Sequence, residues 1–213
     1  MAEYTLGRLN IPDERDRSYP MRTLLPKAVP IGSSKTWYTR KVLDQGSQPR
    51  CVAYAWAGWQ IASPTRTYLH TDTSWLYNEA QKVDDWPGEN YDGTSVRAGA
   101  KVLQDLNRIG EYRWANSIID IHQWLISRGT VVLGTSWHRS MFEPDSKGYI
   151  HPDGDIVGGH AYLCIGYSYS RKAFRCLNSW GPGWGQKGRF WVGWTDLQGL
   201  LADDGEACAA VEV

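Results

Sequence analysis

The sequence predicts an α+β fold in which a mainly helical lobe packs against an antiparallel β-sheet or barrel lobe. The chain has 213 residues, of which 42% are hydrophobic, enough for one domain or for two small lobes that share an interface. Helix-like apolar segments come first along the chain. After Thr130 the sequence changes to short β-rich segments separated by Gly, Pro, Ser and charged turns. A cleft between two such lobes is a usual place for a ligand.

The chain divides into three parts by composition. Residues 1–43 are predicted to form an extended arm, interrupted by Pro12, Pro20, Pro26 and Pro30. Residues 44–129 are predicted to form the helical lobe and residues 130–213 the β lobe, together making one domain. The sequence leaves open whether the arm spans both lobes or lies in the cleft between them.

The helical lobe is predicted to contain four helices. The first has small and apolar residues on every face, as in a fully buried helix. Two others show capping residues at their starts, with Asp72 or Thr73 for the second and Ser117 or Asp120 near the start of the fourth. Glycines are expected to end the third and fourth helices. The predicted segments are 51–62, 73–83, 94–110 and 118–129.

The β lobe is predicted to contain four strands, at 130–137, 158–169, 172–180 and 188–194. The second and third are expected to form a hairpin that turns near Ser168–Arg171. With that turn, His160 and Asn178 fall near opposite positions, and Cys164 falls opposite Phe174. A disulfide between Cys164 and Cys176 would then be diagonal and strained.

Composition argues against several classes of protein. Positive and negative residues number 23 each, so neither a nucleic acid nor an anionic membrane is an expected partner. The N-terminus lacks the apolar core of a signal peptide, and no apolar run approaches membrane-spanning length. A cytoplasmic protein is therefore expected, or one acting in a virion or host cytoplasm if a phage encodes it. The sequence does not indicate an oligomeric state.

The cysteines indicate a reducing compartment. They show no CxxC pair and no zinc-ligand spacing, so free thiols are predicted at Cys51, Cys164, Cys176 and Cys208. Asp153 and Asp155 lie close together, but their loop offers too few further oxygen ligands for a metal ion. No metal and no organic cofactor is expected.

Cys51 is the first candidate for chemistry. It follows a Gly/Pro-containing turn in "DQGSQPRCVAYAWAGWQ" and opens the first predicted helix. A thiol at a helix N-terminus feels the positive end of the helix dipole, which favours the thiolate. Taken alone, such a cysteine is more often buried packing. A nucleophile would need an imidazole partner from elsewhere in the chain.

His160 is the best placed of the five histidines to be that partner. Two glycines precede it in "GGHAYLCIGY", and such residues let other backbone approach closely. The predicted hairpin would bring the side-chain oxygen of Asn178 to the imidazole N–H. An acceptor there would fix the tautomer and the plane of the ring.

Three segments carry a resemblance to a known family. In order, "DQGSQPRCVAYAWA", "GGHAYLCIGY" and "NSWGPGWGQKGRF" resemble the Cys, His and Asn motifs of papain-like cysteine peptidases, over about Asp44 to Trp191. The likeness is greatest to compact prokaryotic and phage-type members. It implies the papain-like two-lobe fold, with Cys51 as nucleophile, His160 as general base and Asn178 as the amide that orients the ring. It also implies a thiolate–imidazolium pair that forms before substrate arrives.

The resemblance implies further roles around this triad. The Gln45 side chain and the backbone N–H of Cys51 would form the oxyanion hole. Trp180 would shield the Asn–His hydrogen bond from water. Trp184 would lie on the leaving-group side of the cleft.

Substrate-binding roles are implied by the same resemblance. Asp92 and Gly93 would present backbone to an extended peptide, and Gly159 would leave the second specificity pocket open. Two departures from the family pattern are Val52, where an aromatic residue is usual, and Gln48, where the family has a disulfide-forming cysteine. An inhibitory pro-segment of the usual helical kind is not expected before residue 44.

The leading hypothesis is therefore a cysteine endopeptidase that hydrolyses peptide or isopeptide bonds through a thioester on Cys51. Its partner would be a peptide or protein substrate. One alternative is an acyl-transfer or deamidating enzyme with the same triad, because the motifs do not choose the acyl acceptor. Another is a non-catalytic binding module that kept the fold.

Overall fold

The computed structural model describes residues 4–10, 12–27, 29, 32–65, 67, 69–86 and 90–213. Within them the chain forms five α-helices and one mostly antiparallel eight-stranded sheet, so the predicted α+β class is confirmed. The sheet of the described residues is not closed into a barrel. In the same residues no helix is both long enough and apolar enough to cross a membrane.

The helices follow the predicted pattern, with one late addition. They are α1 Cys51–Ile61, α2 Thr73–Val83, α3 Val96–Asp105, α4 Ile118–Ser127 and α5 Trp194–Asp203. The Asp72 and Ser117 side chains cap α2 and α4, as the sequence predicts. The predicted end of α3 at Gly110 is wrong: the helix ends at Asp105, and Asn107 takes a left-handed conformation with φ of 53°.

The sheet has the strand order β2-β8-β3-β5-β6-β7-β4, and β1 pairs with β5 outside this path. Its pairs are antiparallel apart from β4 with β7, which is parallel. The strands are β1 Lys35–Thr36, β2 Glu111–Trp114, β3 Val131–His138, β4 Tyr149–Ile150, β5 Ile156–Ser168, β6 Ala173–Leu177, β7 Arg189–Gly193 and β8 Glu206–Val211.

The predicted register of the β5–β6 hairpin is wrong by three residues next to the turn and by two beyond the bulge. Ser168 pairs with Ala173, and a bulge between Cys164 and Gly166 shifts the remaining pairs. Cys164 therefore lies opposite Cys176 and not opposite Phe174. Both thiols are free and buried, and burial raises the pKa of Cys176 well above its ordinary value.

Among the strands and α-helices, five elements escape the sequence analysis: β1, β2, β4, β8 and α5. β8 is rich in alanine, which strands disfavour, yet it pairs with both β2 and β3. The part of the arm that the structure describes is mostly extended, with short 3-10 helices at Glu14–Ser18 and Met21–Leu24. Pro30 lies outside the described residues.

Two hydrophobic clusters meet along β5. Its side chains alternate between the faces of the sheet, so Leu163 joins the cluster around α1 while Tyr162 joins the other. Cys51 belongs to the first cluster and Trp180 to the second. The candidate site therefore lies where these two clusters meet, a boundary that we call the seam.

Candidate active site

Cys51 stands at the first position of α1, as predicted, with its side chain fully buried. Its Sγ accepts a hydrogen bond from the backbone N–H of Ala161 at 3.4 Å, so the thiol touches the residue after His160. Burial raises the pKa of the thiol to about 11, and the Ala161 N–H only partly opposes this effect. At neutral pH the described form therefore holds a neutral thiol.

His160 and Asn178 are in contact. The His160 ring nitrogen Nε2 lies 2.8 Å from Asn178 Oδ1, which also accepts the backbone N–H of Ser179 at 2.8 Å. An oxygen that accepts both bonds fixes Nε2–H as the donor, and the basic Nδ1 is left on the other side of the ring. Diagonal neighbours across the hairpin come this close even though the predicted register is wrong.

The His160 ring is buried and neutral. Burial lowers the pKa of the imidazole to about 4, against the opposing hydrogen bond to Asn178. Among the described residues Nδ1 has no hydrogen-bond partner. A neutral thiol and a neutral ring thus replace the thiolate–imidazolium pair that the resemblance implies. The physical reason is that no water reaches either group to stabilise separated charges.

Aromatic rings enclose His160 on two sides. Trp180 stacks on the imidazole with centroids 4.6 Å apart, which agrees with a shielding role. Trp137 meets the ring edge-on at 4.8 Å, and sequence reasoning did not single it out. Trp184 packs edge-on against Trp180 at 5.1 Å and donates its indole N–H to the Phe142 carbonyl.

The Gln45 side chain is held in place at the same seam. Its Oε1 accepts a hydrogen bond from the Ser179 hydroxyl at 2.7 Å. Its Nε2 donates to two carbonyl oxygens, those of Gln48 at 2.7 Å and Thr5 at 3.0 Å. The amide that the resemblance assigns to an oxyanion hole therefore already binds a peptide carbonyl.

That carbonyl belongs to residues 4–10, here called the strap, which lie across the cleft. The backbone N–H groups of Gly7 and Arg8 both donate to the Gly159 carbonyl, at 3.1 and 3.0 Å. On the opposite wall, Thr94 donates to the Gly7 carbonyl at 3.0 Å and accepts from Leu9 at 2.9 Å. The strap thus bonds to both walls and covers Cys51.

The first described residue of the strap reaches the aromatic end of the cleft. The Tyr4 ring stacks on Trp180 with centroids 4.7 Å apart. From there the strap runs past Gln45 and Cys51 toward Gly159 and Thr94. The open question about the arm is answered for these residues: they lie in the cleft.

Close backbone approach explains the glycines of the site. Gly93 has φ of 104°, and a Cβ there would lie 2.6 Å from the Gly7 carbonyl oxygen. A Cβ on Gly7 itself would overlap the Pro49 carbonyl oxygen. The strap meets this wall at Gly93 and Thr94, whereas the predicted binding residue Asp92 is exposed to solvent.

Comparisons with known proteins agree with this geometry. No protein-family model matches the chain. A cathepsin B-like cysteine proteinase 3 from Ostertagia ostertagi is 32% identical over 99 residues, which cover 45% of this chain and 57% of that protein. The chain thus spans a little over half the length of the curated relative it matches.

Solved structures match over nearly the whole chain. Xylellain, a cysteine protease from Xylella fastidiosa, superposes with a TM-score of 0.77 at 22% identity, covering 98% of this chain and 96% of that one. The chain has the papain-like cysteine peptidase fold. Procathepsin L2 from the larval midgut of Tenebrio molitor shares this papain-like fold, with a TM-score of 0.68 at 18% identity and coverage of 98% and 78%.

The structure gathers several residues that sequence reasoning singled out, together with two neighbours that it missed. The structure brings Cys51, Gln45, Gly159 and the His160–Asn178 pair to one seam. Thr94 was missed although it directly follows the predicted Asp92–Gly93 pair. Trp137 lies inside a predicted strand, and no local signal separates it from other core tryptophans.

Proposed function

We propose that the chain is a cysteine peptidase that hydrolyses peptide or isopeptide bonds through a thioester on Cys51. The observation that carries the proposal is the Thr5 carbonyl bound to Gln45 Nε2 directly over the cleft. It marks a place where Gln45 binds a peptide carbonyl. Cys51 would supply the nucleophile, His160 the base and Asn178 the amide that orients the ring, the three roles that acyl transfer needs.

The chemistry begins when the strap leaves and water enters. The Cys51 thiol then transfers its proton to His160 Nδ1, and the thiolate attacks the substrate carbonyl carbon. Gln45 Nε2 and the backbone N–H of Cys51 bind the oxyanion that forms. The imidazolium gives its proton to the departing amine and leaves a thioester. Water, deprotonated by His160, releases the acid and restores the thiol.

Peptide-library cleavage tests this function. The full chain carrying Gly7→Ala is used, because a Cβ at residue 7 overlaps the Pro49 carbonyl and expels the strap. Cleavage products are expected by mass spectrometry, and none in Gly7→Ala combined with Cys51→Ala. Products that persist without the thiol would refute the proposal. An added amine such as glycinamide shows whether the acyl group goes to water or is transferred.

A non-catalytic binding module is the second candidate, favoured by the neutral thiol and ring of the closed form. Such a module would bind its partner equally well with Cys51→Ala and would cleave no peptide in the Gly7→Ala chain. The two candidates therefore differ in a single measured outcome, the appearance of products.

We further propose that the protein acts on peptide or protein substrates in a reducing compartment. The four cysteines are buried free thiols, and Cys164 and Cys176 face each other without a bond between them. Alkylation of the acid-quenched, denatured protein should label four thiols. Labelling of only two would indicate a disulfide and an oxidising location.

A further inference from the structure

The side of the cleft that faces Gly159 across the strap consists of Gly93 and Thr94, here called the Thr94 wall. Within the part of the chain that the structure describes, Gly93 makes no hydrogen bond from backbone to backbone. Thr94 makes two such bonds, and both go to the strap, at Gly7 and Leu9. When the strap leaves, the position of this wall therefore depends on side chains.

Two side chains of α2 bind the backbone of the wall. The Tyr77 hydroxyl oxygen accepts a hydrogen bond from the backbone N–H of Gly93 at 2.9 Å. Gln81, four residues further on the same helix face, donates from Nε2 to the carbonyl oxygens of Tyr91 at 2.8 Å and Gly93 at 3.1 Å. The same Nε2 also donates to the Tyr77 hydroxyl at 2.9 Å. Both backbone polar groups of Gly93 thus bind to side chains of one helix.

Asp84, at the C-terminal end of α2, holds the same segment at two further points. Its Oδ1 accepts a hydrogen bond from the Tyr91 hydroxyl at 2.5 Å, and its Oδ2 accepts one from the Thr94 hydroxyl at 2.7 Å. The helix therefore supports the wall at both ends of residues 91–94 and in between. These side-chain bonds are independent of the strap.

Tyr77 also contacts the turn that carries the nucleophile. The guanidinium carbon of Arg50 lies over the Tyr77 ring, 5.4 Å from its centroid. Arg50 Nη1 donates to the Ser74 hydroxyl of the same helix at 2.5 Å, and Arg50 directly precedes Cys51. The ring of Tyr77 is thus in contact with the residue before the thiol, while its hydroxyl binds the Thr94 wall. One side chain therefore helps to set the spacing between the two.

We propose that Tyr77 and Gln81 are positioning residues, which hold the Thr94 wall where its backbone binds an extended substrate beside Cys51. The inference rests on the proposed function. The strap shows which groups such a substrate would use, since it bonds to both the N–H and the carbonyl of Thr94. Tyr77 and Gln81 act through Gly93 and not by contact with the substrate.

Loss of either side chain's polar group would release the wall. Tyr77 and Gln81 are buried, so water does not simply replace a lost partner. The Gly93 N–H would then be left without an acceptor, and the wall would move to bring it to solvent. Ordering the wall again on binding would weaken every substrate that uses it. A purely structural role differs, because a smaller folded fraction slows all substrates equally.

The test compares two p-nitrophenyl esters that share the same reacting glycine. The acyl part of one is a single blocked glycine, which ends at the thiol, and that of the other is a four-residue peptide that extends along the Thr94 wall. Tyr77→Phe and Gln81→Leu are each made in the full chain bearing Gly7→Ala. We expect kcat/KM for the long ester to fall about 3–10-fold, mainly through KM, and that for the short ester to change less than about 2-fold.

Tyr169→Phe is the matched control, because this tyrosine is half-exposed on the surface and should leave both esters unaffected. Equal losses with the two esters in Tyr77→Phe and Gln81→Leu would show a purely structural role and overturn the proposal. Unchanged rates with both esters would overturn it as well.

A measurement without substrate separates this proposal from the proposed function. In the chain with its natural Gly7, a displaced wall weakens the bonds of the strap to Thr94. Tyr77→Phe and Gln81→Leu should therefore each raise the rate of Cys51 alkylation by iodoacetamide about 3-fold or more. The three other buried thiols report unfolding, and their labelling should not change.

Faster alkylation of Cys51 alone, in a chain that hydrolyses neither ester when Gly7→Ala opens it, would support the role of the wall and refute the peptidase. An unchanged rate at Cys51 would overturn the role of the wall even in an active enzyme. So would a rise shared by all four thiols, because it would report general unfolding.

Discussion

The Nε2 of Gln45 donates a hydrogen bond to the Thr5 carbonyl oxygen at 3.0 Å, so the chain's own backbone occupies the place that we propose for a substrate carbonyl. The same strap bonds to Gly159 and Thr94 on either side of the cleft. The covered site contains a neutral thiol and a neutral imidazole. These relations lead to five predictions.

Gly7→Ala should open the cleft. The added methyl overlaps the carbonyl of Pro49, which is fixed in the turn before α1, so the strap is the part that moves. The rate of Cys51 alkylation by iodoacetamide, followed by intact mass, should rise about 10-fold or more. Gly199→Ala is the matched control, because a Cβ at that exposed helical glycine meets no atom within 4 Å. Equal rates in both variants would contradict the closed cleft.

The pH dependence of alkylation should differ between closed and open chains. In the wild type the thiol has a pKa raised to about 11, so reactivity should climb only as pH rises toward that value. In the Gly7→Ala variant, water and a charged His160 can stabilise the Cys51 thiolate. Fast alkylation of Cys51 alone is therefore expected at mildly acid pH. Adding His160→Ala to the Gly7→Ala chain should remove the fast alkylation at mildly acid pH. If the alkylation rate depended on pH in the same way with and without His160, the result would argue against an ion pair.

Gln45→Ala should slow the open enzyme through the oxyanion. In the Gly7→Ala background, kcat/KM should fall about 10²–10³-fold, because one oxyanion donor is lost. Gln48→Ala serves as control, since only its backbone carbonyl meets Gln45. A loss seen mainly in KM would assign Gln45 to ground-state binding.

Trp137→Ala should be strongly destabilising. The indole is fully buried and contacts His160, Tyr162 and Trp180. Truncation is expected to cost about 3–5 kcal/mol in the free energy of unfolding. Trp137→Phe keeps an aromatic ring against the imidazole and should lose much less unfolding free energy. Chemical denaturation measures both, and a loss below about 1 kcal/mol for Trp137→Ala would place the ring outside the packed core.

Acid should destabilise the closed chain through His160. Its pKa is lowered from 6.5 to about 4 in the folded chain, so the unfolded chain binds the proton first as pH falls below 6.5. The resulting loss of unfolding free energy is absent above that pH and reaches about 2 kcal/mol at pH 5. Unfolding free energies at pH 7 and pH 5 should therefore differ more in the wild type than in His160→Gln.

Sequence patterns predicted the parts of this molecule that local chemistry determines. Apolar periodicity and capping residues placed α1, α2 and α4, and the order of the Cys, His and Asn segments located the seam. The hairpin register failed at the turn. The loop spans residues 169–172, with Lys172 at a φ of 47°, so Ser168 pairs with Ala173 and the predicted pairing is displaced before the bulge is reached.

Contacts between residues far apart in the sequence account for the other features that the sequence analysis did not predict. The pairing of Arg8 with Glu206 joins residues 198 positions apart, so neither residue marks the other in the sequence. β8 owes its place to β2 and β3, because its alanine-rich segment has little strand preference of its own. Tertiary structure alone reveals the strap and its place in the cleft.

Covalent attachment of the strap has a kinetic consequence. An inhibitor joined to its own enzyme keeps the same local concentration at every dilution, so substrate competes with it in a ratio that protein concentration does not change. A strap closed 99% of the time would raise the apparent KM about 100-fold and leave kcat at saturating substrate untouched. Activity would then rise with substrate concentration. Closure would be reversible, so a molecule whose strap closes again keeps its ability to open and react.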